Sequence, residues 1–402
     1  FARRQRQMCI RDRKRRGIMS QYVITNGRIY TEAQVIEKGY LVVENGKISD
    51  IQKGDYKGHL NQIDVAGKHV LPGFIDIHIH GGYGEDAMDA SYDGLNHLAK
   101  QLLSEGTTTF LATTMTQSDE NIEKALKNIV ACYENQTLGE AAEISGVHLE
   151  GPFISEHKVG AQNPKYVQRP TVDKIRHFQE VAKGLIKIIT FAPEVEGAHD
   201  TLNELRDEII FSMGHTVATF EEANEAVERG AKHVTHLYNA ATPFEHRNPG
   251  VFGAAWTNQS LNTEIIGDGI HSHPAAVDIA YKQKGYTHMY LITDAMRAKG
   301  MKDGEYDLGG QNVIVKGKEA RLENGALAGS ILKMNEGLHN LIQFTHDSLD
   351  HLWRVASLNQ AIALNIDKQK GSLSIGKDAD IVIVDDHIQV DTTIKSGTIH
   401  HF

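Results

Sequence analysis

Cysteine is nearly absent from this chain: Cys9 and Cys132 are the only two in 402 residues. Two thiols cannot build a disulfide framework, so a reducing compartment, the cytoplasm, is the expected location. Long apolar runs are missing as well. Nothing approaches the ~18 consecutive apolar residues that a membrane-spanning helix requires, and no apolar signal segment opens the sequence. Positive charge is scarce outside one place. Residues 1–18, FARRQRQMCIRDRKRRGI, hold eight of the 42 lysines and arginines against one acid, which leaves 34 basic and 51 acidic side chains and a formal charge of −17 on the remainder. An acidic body argues against nucleic acid, whose phosphates are held by basic surfaces, but a small anionic ligand needs only a local cluster of donors. The basic leader reads as sequence upstream of a natural start at Met19, outside the fold. Two catalytic signatures are missing too: there is no G-x-x-x-x-G-K-[ST] phosphate loop and no G-x-S-x-G nucleophile turn.

What the sequence does have is histidine, 22 of them, several at the ends of strand-like runs. Residues 19–71 read as short β-segments, with Asn26-Gly27 and Asn45-Gly46 supplying the positive backbone angles of tight turns. Residues 361–402 have the same texture, so both termini are expected to meet in one small β-sandwich domain. Between them, residues 72–360 alternate apolar runs with amphipathic stretches. The strands expected are 73–78, 107–113, 144–149, 186–191, 208–213, 233–237, 264–267 and 289–293. Helical patterns such as DGLNHLAKQLLSEG and FEEANEAVERG separate them, the fourth and seventh being the least clearly marked. Eight strands each followed by a helix is the count of an α/β (β/α)₈ barrel of the TIM type, which keeps its chemistry at the carboxyl ends of its strands.

The segment LPGFIDIHIHGG at 71–82 carries the strongest local signal. Ile75, Ile77 and Ile79 alternate with Asp76, His78 and His80 in strand order. Residues two apart share a face, so both imidazoles leave one side about 7 Å apart along the backbone. Other runs end in the same way: the third at Glu150, the fifth at His215, the sixth at His236, the eighth at Asp294. Singly, each residue has an ordinary structural explanation, as a core histidine or a helix cap. Together they put metal-ligand types at five strand ends that converge if the barrel closes. Imidazole and carboxylate without thiolate suit a borderline divalent ion: Zn²⁺ first, with Fe²⁺ and Mn²⁺ as competitors. The expected division is His78 and His80 on one ion, His215 and His236 on a second, and Glu150 between. Asp294 would touch the first ion, take a proton from water acidified by the metal, and return it to a leaving amine.

The motifs HIH, HLEGPF, GHT, THLYNA, GDGIHSHP, LITDAM and LAGS, in this order, resemble the amidohydrolase superfamily. Within it they are most similar to the N-acetylglucosamine-6-phosphate deacetylase family. The resemblance runs from Met19 to the C-terminus. It implies a hydrolase that releases acetate from a phosphorylated N-acetyl amino sugar, with one or two divalent ions per subunit. It also implies substrate contacts at Asn239, Ala240 and His271, the last orienting the acetamido carbonyl or a sugar hydroxyl. Gln162 stands where some relatives have histidine. Ala328, Gly329 and Ser330 resemble a loop on the substrate side. Arg247 is the best single phosphate candidate, because its planar fork matches a phosphate. The resemblance further implies that this arginine can serve a neighbouring subunit in a homodimer. The alternatives are an enzyme for the galactosamine epimer, a cyclic amidase, or a non-catalytic relative that keeps the barrel.

Overall fold

The computed structural model describes residues 21–402; the basic leader at 1–18 and Met19 lie outside the described residues. Eight parallel strands form the barrel sheet: β1 (Phe74–Ile79), β2 (Thr107–Thr114), β3 (Glu143–Glu150), β4 (Ile186–Phe191), β5 (Ile210–Met213), β6 (His233–Val234), β7 (Asn262–Ile266) and β8 (Met289–Ile292). They neighbour one another in that order. Helices cover one face and the barrel interior fills the other, so most strand residues are apolar or buried, as in TTTFLATT. Where β8 returns to β1, the Thr293 hydroxyl donates to the Asp76 carboxylate at 2.5 Å. Beside it, Asp294 N–H reaches His78 O at 2.8 Å and His80 N–H reaches Ala295 O at 2.9 Å. The first and last strands are thereby joined at the end that carries the histidines.

The outer helices begin on side-chain caps. Ser91, Ser118, Thr171 and Thr219 each accept a hydrogen bond from the backbone N–H three residues on. Each such cap contributes about 1 kcal/mol. Gly230 ends the helix Phe220–Arg229 with φ 117°, a left-handed value that a Cβ would oppose. The two weakly marked helices are present, as Ala198–Leu205 and Pro274–Lys284. The helix Gly250–Thr257 is apolar all round and buried along most of its length, so it carries no amphipathic signature.

The two ends of the described chain share one mixed sheet. In spatial order it runs Thr398–His401, Val390–Lys395, Ile381–Val384, His69–Pro72, Tyr22–Tyr30, Val35–Glu44 and Lys47–Lys53, with Asn61–Asp64 alongside Tyr22–Tyr30. It has its own core, including Ile24, Leu41, Val43, Val70, Ile381 and Ile394. A buried ionic group ties it to the barrel. Lys395, fully enclosed, donates to Glu143 of β3 at 2.9 Å and to Asp380 at 2.8 Å, and Lys370 also bonds Glu143. The sequence reading did not foresee a three-stranded antiparallel sheet (Gly304–Leu308, Gln311–Lys316, Glu319–Leu322) inserted between β8 and the helix Met334–Thr345.

Candidate metal centre

Five strand ends deliver six donor side chains to one place. His78 lies in β1 and His80 one residue past its end, and Glu150 is the last residue of β3. His215, His236 and Asp294 lie just past β5, β6 and β8. The last three have positive φ, 47°, 25° and 47°. Left-handed backbone at non-glycine residues is strained and recurs at functional sites. Here it ends each strand abruptly and turns the side chain into the barrel mouth. All six residues are buried.

The two carboxylate oxygens of Glu150 divide the histidines into pairs. Oε2 lies 2.9 Å from His80 Nε2 and 3.5 Å from His78 Nε2, and both these nitrogens approach Asp294 Oδ1, at 3.1 and 3.2 Å. Oε1 lies 3.1 Å from both His215 Nε2 and His236 Nε2. Gln162 steadies the carboxylate, donating from Nε2 to Glu150 Oε2 (2.9 Å) while its Oε1 accepts from Thr116 N–H (2.7 Å).

The far sides of the rings show what this arrangement requires. His80 Nδ1 donates to Thr113 O (3.2 Å) and His215 Nδ1 to Lys158 O (2.9 Å). A carbonyl only accepts, so these nitrogens carry the protons and leave Nε2 lone pairs facing the centre. The His215 and His236 Nε2 atoms stand 3.1 Å apart, and His78 Nε2 is buried with no hydrogen-bond partner. Lone pairs and carboxylate oxygens so close repel one another unless positive charge sits among them. Burial disfavours ionised Glu150 and Asp294, but His78 and its neighbours outweigh that and hold both carboxyls well below their usual range. Left to the protein alone, the needed positive charge falls on a ring: burial lowers His80, but its bonds to Asp294 and Glu150 raise it to about 10, and a cation bound at Nε2 would take the place of that proton. Nitrogen and oxygen donors around a buried, cation-seeking centre fit a divalent metal.

A neighbouring trio, His78, His148 and Glu264, also brings donor atoms together. His148 is already satisfied there: Nδ1 donates to Ile77 O (2.9 Å) and Nε2 pairs with Thr190 Oγ1 (2.7 Å). Burial pushes it down to about 4, the behaviour of a neutral structural imidazole. Glu264 is different. It accepts from His78 Nδ1 at 2.9 Å, and the sequence reading missed it. A lone acid inside the apolar run TEIIG was the available signal.

Above the six donors opens a cleft of about 390 Å³, within the usual range for small-molecule sites. Of the residues expected to contact substrate, Gln162, Asn239, Ala240, His271 and Gly329 line it. His271 Nδ1 is held by Asp268 Oδ2 at 2.6 Å. Burial works to raise the Asp268 carboxyl, and the bond and charge of His271, with two backbone N–H groups, bring it below its usual range instead. Other expected contacts are placed elsewhere. Ala328 packs in an apolar cluster with Met115 and Met296, and the Ser330 hydroxyl donates to Thr293 O. Neither lines the cleft, because this segment runs beside the end of β8 and holds it in place: Ser330 N–H bonds Asp294 O. Arg247 is exposed and away from the lining; the lining arginine is Arg321, from the inserted sheet, paired with Glu319 at 2.7 Å.

A family model described as the amidohydrolase family matches residues 69–400. The chain is 48% identical over 379 residues to an N-acetylglucosamine-6-phosphate deacetylase of Bacillus subtilis (strain 168), covering 92% of this chain and 95% of that one. Among solved structures, an N-acetylglucosamine-6-phosphate deacetylase from Pasteurella multocida superposes with a TM-score of 0.90 at 30% identity, covering 95% and 100% of the two chains. A mutant N-acetyl-D-glucosamine-6-phosphate deacetylase from Mycobacterium smegmatis, in complex with N-acetyl-D-glucosamine-6-phosphate, gives 0.89 at 27% identity, covering 94% and 99%.

Proposed function

The chain belongs to the amidohydrolase family, and from that premise we propose that it hydrolyses N-acetyl-D-glucosamine 6-phosphate to D-glucosamine 6-phosphate and acetate. The observation that carries this reading is the convergence of His78, His80, Glu150, His215, His236 and Asp294 at the base of one cleft, which all but the fully buried His78 line. His78, His80 and Asp294 would hold one ion and His215 and His236 a second, with Glu150 shared; Zn²⁺ is the first choice for these donors. When bound, such an ion polarises a carbonyl and brings the acidity of water near neutrality.

The remaining work belongs to the protein. Asp294, between the rings of His78 and His80, accepts the proton of the attacking water and delivers it to the amine, which leaves poorly without one. His271, with Nδ1 fixed on Asp268, presents its other nitrogen to the cleft, where it holds charge developing on the acetamide oxygen. Asn239, Ala240 and Gly329 line the cleft beside it and contact the sugar phosphate. Arg247 lies off its own cleft, which suits the idea that it meets the phosphate of a partner subunit in a homodimer. The enzyme is expected to work in the cytoplasm, on amino sugars recycled or scavenged by the cell. The test is acetate release from N-acetylglucosamine 6-phosphate beside its galactosamine epimer and the unphosphorylated sugar. Fastest release from the first supports the reading, and none from it rejects the reading.

A further inference from the structure

Glu264 sits in the middle of β7, with hydrophobic Ile265 and Ile266 after it and no exposure to water. A buried carboxylate must be answered by positive charge or by enough hydrogen bonds. Among the described residues no lysine or arginine lies within ion-pair distance of it; the imidazoles beside it are His78, at 2.9 Å, and His148, at 3.9 Å. The His148 Nδ1 proton already goes to Ile77 O. Glu264 Oε2 takes two bonds, from His78 Nδ1 (2.9 Å) and from His236 N–H (3.1 Å), while Oε1 has no hydrogen-bond partner. Its charge is therefore balanced through the His78 ring, by whatever cation sits at that ring's other nitrogen.

The other histidines of the centre differ in this respect. His80 and His215 rest on neutral carbonyls, and His236 Nδ1 is buried without a partner. His78 alone among them is backed by an anion. A carboxylate behind an imidazole fixes which nitrogen carries the proton, orients the ring and makes the free nitrogen a stronger donor.

We propose that Glu264 is a positioning residue that makes the His78–His80 half of the centre retain its ion, separately from the His215–His236 half. The inference rests on the two-ion reading above. It is tested with Glu264→Gln, which keeps an acceptor for His78 and removes the charge. Wild-type and variant proteins are loaded with Zn²⁺ and dialysed against graded chelator. Zinc per chain is measured by elemental analysis, and its position by anomalous diffraction. The variant is expected to lose the His78–His80 ion at about 10–100-fold lower chelator concentration, with the other ion held as in wild type. Loss of both ions in parallel, or no change, overturns the inference. A wild-type protein that never holds zinc at His78 and His80 overturns the two-ion reading, and the inference with it. Should the variant not fold, ¹⁵N NMR of the zinc-loaded wild type decides: a proton on His78 Nδ1 supports the proposal, and a bare Nδ1 rejects it.

Discussion

Replacing Lys395 by Met removes the cation that joins the terminal sheet to the barrel. In the native protein its ammonium is fully buried and bonds both Glu143 (2.9 Å) and Asp380 (2.8 Å). Methionine fills a similar volume, but Asp380, itself almost entirely buried, keeps only the Ser396 N–H and Lys370 at 3.5 Å. Breaking a buried pair by deleting one partner costs about 3–5 kcal/mol. With an unfolding entropy of about 2.1 cal/mol/K per residue, roughly 0.8 kcal/mol/K for a chain of this size, Tm falls by about 4–6 °C. The pH dependence follows from the same contacts. Burial raises Asp380 and Glu143, but Lys395 and Lys370 outweigh it, so both carboxyls sit below their ordinary range in the folded state. Their contribution is complete above the unfolded carboxylate values of ~4 and is lost as pH falls through the lower folded values. Lys370 is raised, because the neighbouring carboxylates Asp380 and Glu143 outweigh its burial. Its share is complete below ~10.4 and lost as pH rises through the folded value. Thermal unfolding of wild type and Lys395→Met from pH 3 to 7 should show a gap that is widest near neutrality and narrows toward pH 3. In the double variant Lys395→Met/Asp380→Leu much of the loss should return. A single variant as stable as wild type at pH 7, or a gap that does not depend on pH, would refute the reasoning.

Three further outcomes are expected. Asp294→Asn should still bind metal through the four histidines and Glu150 but release acetate about 10²–10⁴-fold more slowly; full activity in a metal-loaded variant would remove the proton-carrying role. Asp268→Asn weakens the anchor on His271 Nδ1 and should lower kcat more than it raises KM, measured by steady-state kinetics; an unchanged kcat would show that His271 needs no anchor. Arg247→Ala should raise KM for the phosphorylated sugar more than for the unphosphorylated one, whereas Arg321→Ala, whose guanidinium is engaged by Glu319 and Gly325 O, should have the smaller effect. Equal losses on both sugars would end the phosphate role of Arg247.

The barrel was legible because its strands are covered on both faces and therefore read as apolar runs, each closed by a polar residue where it reaches the mouth. His78 and His80 follow directly from strand alternation. Three strands differ by more than one residue from the bounds expected; β5 begins at Ile210 rather than at 208, and the other two differ for physical reasons. β6 was expected to reach Leu237, but only His233–Val234 pair with their neighbours, because the chain turns left-handed at His236. β7 was expected to begin at Glu264, which put that carboxylate at an end of the strand. The strand begins at Asn262, so Glu264 falls inside the barrel, where bonds from His78 Nδ1 and the His236 N–H hold it. The inserted sheet at 304–322 was missed, although Gly309-Gly310 and Gly317 mark its turns. Its strands have one exposed face, and their polar residues read as loop. That Gln162 spends both amide ends on Glu150 and Thr116 depends on contacts across 12 and 46 residues, which no local pattern records.

The most direct test of the account is a titration of metal-free protein with Zn²⁺ while acetate release from N-acetylglucosamine 6-phosphate is followed. The expected result is no release without metal, a rise on addition of zinc, and saturation at no more than two ions per chain. Release that does not depend on metal, or its absence at every loading, would contradict it.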